Sequence, residues 1–200
     1  TAGLAPVMIG TAMAYGDGIW HWPSAVICLI TALSIQIGTN IANDYFDFKK
    51  GADTEERIGP TRVTQAGLIK PEAVRNGFII AFLISAICCA LLVMRAGWPL
   101  AVVGIISIIS GILYTGGPKP LGYIGLGDLF VLIFFGPVAV AGTYYVQTFE
   151  MNPAVIYAGF GPGLISCAIL AVNNMRDIDS DSKTGKRTLA VRFGRTFAQY

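Results

Sequence analysis

Charge is what this chain has least of. Only 13% of its 200 residues are Asp, Glu, Lys or Arg, against 54% hydrophobic. A mean hydropathy of +0.63 leaves too little polar surface to cover a water-soluble core of this size. There is one histidine, His21, and neither a Ser/His/Asp set nor a Cys/His pair is available for nucleophilic catalysis. The four cysteines, Cys28, Cys88, Cys89 and Cys167, all fall within apolar runs and lack metal-ligand spacing, which assigns them to packing. The chain has no phosphate-binding Walker loop and no dinucleotide fingerprint. It also shows no basic leader with a cleavage site, no low-complexity tract and no soluble second domain. Nucleic acid is not an expected partner.

What is present is a set of uncharged runs at membrane spacing. They extend over Gly18–Asn43, Asn76–Met94, Ala96–Pro118, Leu129–Phe149 and Met151–Met175, each near the roughly 20 residues that cross about 30 Å of hydrocarbon as helix. A shorter run, Thr1–Gly16, reads as a first helix already cut into, and Phe193–Tyr200 begins another. The expected fold is therefore all-α: one polytopic transmembrane bundle over residues 1–200, with six spans and the start of a seventh, read as a fragment. Taking the spans in order, thirteen of the 14 Lys and Arg gather on one face, with Arg95 the exception. That bias makes the basic face cytoplasmic. Three loops lie on it, about 44–72, 116–127 and 177–192. Trp20, Trp22 and Trp98 mark the opposite face as interfacial anchors.

The chemistry gathers at two helix ends on the basic face. The second span closes with Asn40, Asn43, Asp44, Asp47 and then Asp53; the sixth closes with Asn173, Arg176, Asp177 and Asp181. Spacings of three and four put Asn40, Asp44 and Asp47 on one helical face, and Asn173, Asp177 and Asp181 on another. Carboxylates crowded at a helix C-terminus oppose the macrodipole and each other, an arrangement that a hard cation would offset. Mg²⁺ takes oxygen ligands and is held by one or two carboxylates plus substrate phosphates. Two such clusters on one face suggest two Mg²⁺ ions gripping a diphosphate. Arg62, Lys119, Arg176, Lys186 and Arg187 are candidates to bind that diphosphate.

These residues resemble the UbiA family of intramembrane prenyltransferases over essentially the whole chain. Asn173-x-x-x-Asp177-x-x-x-Asp181 fits the family's second Asp-rich motif. In the first, Asn43-Asp44-x-x-Asp47 is present, but the next acid falls at Asp53 in place of Gly51. That variant is similar to the 1,4-dihydroxy-2-naphthoate polyprenyltransferase branch of menaquinone synthesis. So are the blocks Arg62-Val-Thr-Gln65-Ala-Gly67-Leu, Tyr114 to Lys119 through Tyr123 to Asp128, and Gly185-Lys186-Arg187-Thr-Leu-Ala-Val.

The resemblance implies a bundle of about nine spans around a lipid-open cavity, in a bacterial inner membrane with the active site facing the cytoplasm. It implies Mg²⁺-dependent transfer of a polyprenyl group from polyprenyl diphosphate to an aromatic acceptor. With dihydroxynaphthoate, loss of CO₂ would give demethylmenaquinone. The metal set would be Asn40, Asn43, Asp44, Asp47 and Asp53 facing Asn173, Asp177 and Asp181. Tyr114 and Tyr123 would shield an allylic cation. The alternatives are another quinone precursor, 4-hydroxybenzoate or homogentisate, or a cation-coupled transporter, whose carboxylates belong nearer the bilayer midplane. The oligomeric state stays open.

Overall fold

The computed structural model describes residues 2–52 and 59–199. Asp53 lies outside the described residues. The described chain folds as α1 (Leu4–Gly16), α2 (Trp22–Lys49), α3 (Pro71–Ala96), α4 (Trp98–Leu113), α5 (Gly127–Phe134), α6 (Pro137–Thr148), α7 (Pro153–Arg176), α8 (Ile178–Lys183) and α9 (Leu189–Gln199). Proline punctuates it. Helices α2, α3, α4, α6 and α7 each carry Pro in their first positions, where the missing N–H is one the helix could not use and the fixed φ suits helical entry.

Four stretches are long and apolar enough to cross a membrane: Trp22–Lys49, Pro71–Ala96, Gly127–Thr148 and Pro153–Arg176; Leu4–Gly16 and Trp98–Leu113 are shorter apolar helices. The four long stretches and the two shorter helices fall where the six spans are expected. Leu83, Ile87, Leu91 and Met94 along α3, and Ile105 and Ile109 along α4, are exposed, the pattern of helices whose outer faces meet lipid. The protein is an integral membrane protein.

Four boundaries differ from the sequence expectation. Helix α2 continues past Asn43 to Lys49, so the first residues of the loop expected at 44–72 are helical, and Asp44 and Asp47 keep the helical spacing read from the sequence. Helix α4 stops at Leu113, ahead of the Gly-Gly-Pro turn. The fifth span is two helices, because Pro137 cannot donate to the ladder and Gly136 leaves helical geometry at φ −118 and ψ −114. The apolar stretch expected from Phe193 is part of α9, which begins at Leu189 and bends at Gly194, where φ is 85.

The bundle is knit by α2 along α3, α1 against α6, and α6 against α7. At the basic end, Ala42, Tyr45, Val74, Phe78 and Phe82 form a core cluster, with the Tyr45, Phe46 and Phe78 rings in mutual contact at 5.3 to 5.7 Å. That wedge fixes the end of α2 against α3, and with it the direction of each polar side chain on the last two turns. At the other end Arg95 has a structural use: its Nε donates to the Val146 carbonyl at 2.9 Å, and its guanidinium lies 4.8 Å from the Phe149 ring centre. The one Lys or Arg assigned to this face therefore satisfies a carbonyl at the C-terminal end of α6.

Candidate active site

The last two turns of α2 send their polar side chains three ways. Asn43 accepts a hydrogen bond from the Thr115 hydroxyl, on the loop that follows α4. Asp44 turns to the loop before α3, where its two oxygens accept from the Val63 N–H at 3.1 Å and the Thr64 N–H at 3.4 Å. Asp47, only 2% exposed, points inward. Its Oδ1 accepts from the Tyr123 hydroxyl at 2.8 Å, and its Oδ2 lies 2.9 Å from Lys186 Nζ and 3.7 Å from Arg62 Nη2.

Lys186 joins the two clusters. Its ammonium also lies 3.7 Å from Asp181 Oδ1, so one cation sits between a carboxylate from α2 and a carboxylate from α8. The loop is held in place by its backbone: Lys186 N–H donates to the Asp181 carbonyl and Arg187 N–H to the Tyr123 carbonyl, with Gly185 at φ 77 making the turn. Beside it, Asp177 is forked by its neighbour Arg176, with Nε to Oδ1 and Nη2 to Oδ2 both at 2.8 Å.

Sequence reasoning passed over two participants. Lys50 Nζ donates to the Thr115 carbonyl at 2.6 Å and the Gly117 carbonyl at 3.3 Å and lies 4.8 Å from the Tyr123 ring centre. Burial against these groups lowers the Lys50 ammonium below the ordinary lysine value; the Asp47 charge opposes this and Lys186 adds to it. The positive-inside bias accounts for a Lys49-Lys50 pair without any further role, and so hid it. Thr115 stands inside the Tyr114 to Asp128 block but carries no charge to draw notice.

The remaining candidates divide. Tyr114 packs between two glycines, such that a Cβ on Gly127 would come within 2.9 Å of its hydroxyl and one on Gly122 within 3.2 Å of its ring. Burial first, then the charges of Asp128, Asp47 and Asp181, push its phenol well above the usual value, so it stays protonated. Tyr123 carries two ammonium groups over its ring, Lys186 at 5.0 Å and Lys50 at 4.8 Å from the ring centre. Asn40, Lys119 and the Arg187 side chain are exposed, and Asn173 is half-buried; among the described residues, no hydrogen bond or ion pair brings their side chains to the Asp47–Lys186–Asp181 group. Tyr123→Phe, which removes only the hydroxyl on Asp47, is expected to lower turnover by about tenfold, as one hydrogen bond to a charged group implies, measured as initial rate in detergent.

Beneath the polar group runs an apolar cavity between α1, α2, α3, α4, α5 and α6. Tyr114 stands at its polar end, and its lining reaches Leu92 and Leu100 toward the opposite face, past Thr39, Cys89 and Phe134. A cluster of charged side chains at one end of the bundle and an apolar cavity reaching Tyr114 suit an amphiphile with a charged head and a long tail.

As for metal, no group of three or more His, Cys, Asp or Glu side chains converges among the described residues. The donor set is nonetheless all oxygen, and Asp47 and Asp181 close on one positive charge. The residues fit a hard cation completed by substrate phosphates, rather than a cage built from protein alone.

The sequence profile of the UbiA prenyltransferase family matches residues 3–200. The chain is 42% identical to a 1,4-dihydroxy-2-naphthoate octaprenyltransferase of Haemophilus influenzae, aligning 96% of this chain with 65% of that protein. It is 42% identical to the protein of the same name from Escherichia coli, over 98% of this chain and 65% of the relative. With that of Mycobacterium tuberculosis the identity is 40%, over 96% and 65%. The chain thus spans about 65% of the length of these curated relatives. Among solved structures, one described as "Structural and mechanistic insights into the biosynthesis of Digeranylgeranylglyceryl phosphate synthase in membranes" superimposes with a TM-score of 0.67 at 16% identity, over 98% of this chain and 66% of that one, a likeness of fold. The chain belongs to the UbiA prenyltransferase family.

Proposed function

We propose that the protein transfers a polyprenyl group from a polyprenyl diphosphate to 1,4-dihydroxy-2-naphthoate, with loss of the acceptor carboxylate as CO₂, at the cytoplasmic face of a bacterial inner membrane. The observation that carries the transfer chemistry is Lys186 held between Asp47 and Asp181, in a bundle whose apolar cavity is lined at one end by Tyr114. The acceptor rests on the names of the relatives. The orientation rests on the basic bias of the face that bears the site.

Mg²⁺ held by Asp47 and Asn43 on one side and Asp177 and Asp181 on the other would supply Lewis-acid neutralisation of the departing diphosphate. The residues do the rest. Lys186 and Arg62, paired with Asp47 in the structure, turn their donors to the diphosphate as its charge arrives, and Arg176 and Lys119 border the same face. Tyr123 and Lys50 keep the two loops together around the leaving group. Tyr114, protonated and at the cavity mouth, offers its ring face to the developing allylic cation, while the apolar walls exclude water that would otherwise capture it. The polyprenyl tail lies along the cavity. A ring carbon of the acceptor attacks the allylic carbon as its bond to the diphosphate oxygen breaks. The ring's carboxylate leaves as CO₂, the electron pair of its C–C bond staying on the ring, where a proton takes its place as the attacked carbon gives one up.

The test is a reconstituted assay of the full-length natural protein with Mg²⁺, a labelled polyprenyl diphosphate, and dihydroxynaphthoate, 4-hydroxybenzoate or homogentisate in parallel. Prenylated product and CO₂ from dihydroxynaphthoate, abolished by EDTA, are expected. Product from one of the other acceptors alone would contradict the acceptor, and cation flux without any product would favour a transporter.

A further inference from the structure

The first Asp-rich cluster holds two carboxylates three residues apart on one helix, yet the structure gives them unlike surroundings. Asp47 faces cations: Lys186 at 2.9 Å and Arg62 at 3.7 Å. Asp44, 8% exposed, faces backbone. Its carboxylate spans two successive amides, Val63 N–H at 3.1 Å and Thr64 N–H at 3.4 Å, directly after Arg62. The segment it grips is a compact turn: Ala66 N–H donates to the Arg62 carbonyl, Gly67 N–H to the Thr64 carbonyl, and both Leu68 and Ile69 N–H to the Val63 carbonyl. Gly67 takes φ 68 to close it. Each oxygen accepts one amide N–H and the carboxylate is buried, so Asp44 is turned toward the 62–69 turn, whereas Asp47 is turned toward Lys186. Paired N–H groups on a carboxylate are strong, charge-assisted bonds.

We propose that Asp44 is a positioning residue that fastens the 62–69 turn to α2 and thereby sets Arg62 beside Asp47, and that it does not ligate the divalent ion. The two acids of the cluster then have separate duties, Asp47 toward cations and Asp44 toward the loop that delivers a guanidinium. The kinetic part of this inference rests on the prenyl-transfer reading; the structural part does not.

Three measurements on the full-length protein test it. Trypsin should cut the Arg62–Val63 bond about tenfold faster in Asp44→Ala than in wild type, the scale of losing hydrogen bonds to a charged acceptor. Mn²⁺ affinity in the presence of inorganic pyrophosphate, read by electron paramagnetic resonance, should be unchanged in Asp44→Asn but fall more than about tenfold in Asp47→Asn, the scale for groups that build a metal site. In kinetics, Asp44→Ala should raise the KM for the diphosphate substrate more than it lowers kcat, and should add nothing to Arg62→Ala in the double variant. Asp44→Asn retains a carbonyl acceptor and covers the case in which the alanine variant misfolds. An unchanged tryptic rate, a loss of Mn²⁺ affinity in Asp44→Asn equal to that of Asp47→Asn, or additive losses in the double variant would each overturn the proposal. A wild-type protein inactive with every acceptor would instead overturn the prenyl-transfer reading, and the tryptic and Mn²⁺ measurements would still decide the role of Asp44.

Discussion

Asp47→Asn is expected to lower prenyl transfer about a thousandfold, the scale of removing a preorganised charge from a reacting centre, while leaving the bundle folded. The amide keeps an acceptor for the Tyr123 hydroxyl, which bonds Oδ1 at 2.8 Å. It removes the negative charge that faces Lys186 and Arg62 and that would face a divalent ion during turnover. Asp47→Ala is a poorer experiment, because deleting one member of a buried charged group strands its partners at a cost of about 3–5 kcal/mol and confounds chemistry with folding. Single-turnover measurement with labelled polyprenyl diphosphate separates the two. A rate within tenfold of wild type, from protein with unchanged helical content, would remove Asp47 from the chemistry.

The second large effect falls on stability, far from any charge. A Cβ on Gly159 would lie 2.5 Å from Pro137 Cα, 2.6 Å from Pro137 N and 2.9 Å from the Gly136 carbonyl carbon. All three are backbone atoms at the break between α5 and α6, so no rotamer change relieves the clash. Gly159→Val is expected to cost about 3 kcal/mol, the upper end for overpacking, which lowers the melting temperature in detergent by roughly 6–12 °C for a chain of this size. Gly161, two residues along the same helix, has nothing within 4 Å of its Cβ position. Gly161→Ala should therefore be neutral or slightly stabilising, since alanine favours helix over glycine. Equal melting temperatures for the two variants would mean that α7 does not pack on the 136–137 break.

Much of this architecture is legible in the residues, because a bilayer leaves few choices. Backbone groups in hydrocarbon must pair within their own segment, so uncharged runs of about 20 residues can only be helices, and charge placement orders them. The break in the fifth span was also on view as Gly136-Pro137, a dipeptide that ends helices. A run uncharged from Leu129 to Phe149 drew attention to length instead. Periodicity located both acidic clusters but not the direction each acid takes. Helical spacing placed Asn40, Asp44 and Asp47 on one face, whereas the structure leaves Asn40 exposed, sends Asp44 to a loop 19 residues away and brings Asp47 to Lys186, 139 residues away. Partners at such separations depend on how two loops fold back over a helix end, and no local pattern encodes that. The same holds for Lys50, whose contacts lie 65 residues on in Thr115.

The claim at the centre of this account is that both acidic clusters serve one diphosphate. Calorimetric titration of a non-ionising prenyl thiolodiphosphate into the full-length protein with saturating Mg²⁺, for wild type, Asp47→Asn, Asp181→Asn and the double variant, tests it directly. Each single variant should lose most of the Mg²⁺-dependent affinity, and the double variant should bind no more weakly than the weaker single, since removing either half of a shared grip disables the whole. Losses that simply add, or wild-type affinity in Asp181→Asn, would show that the clusters act apart and would contradict the single site.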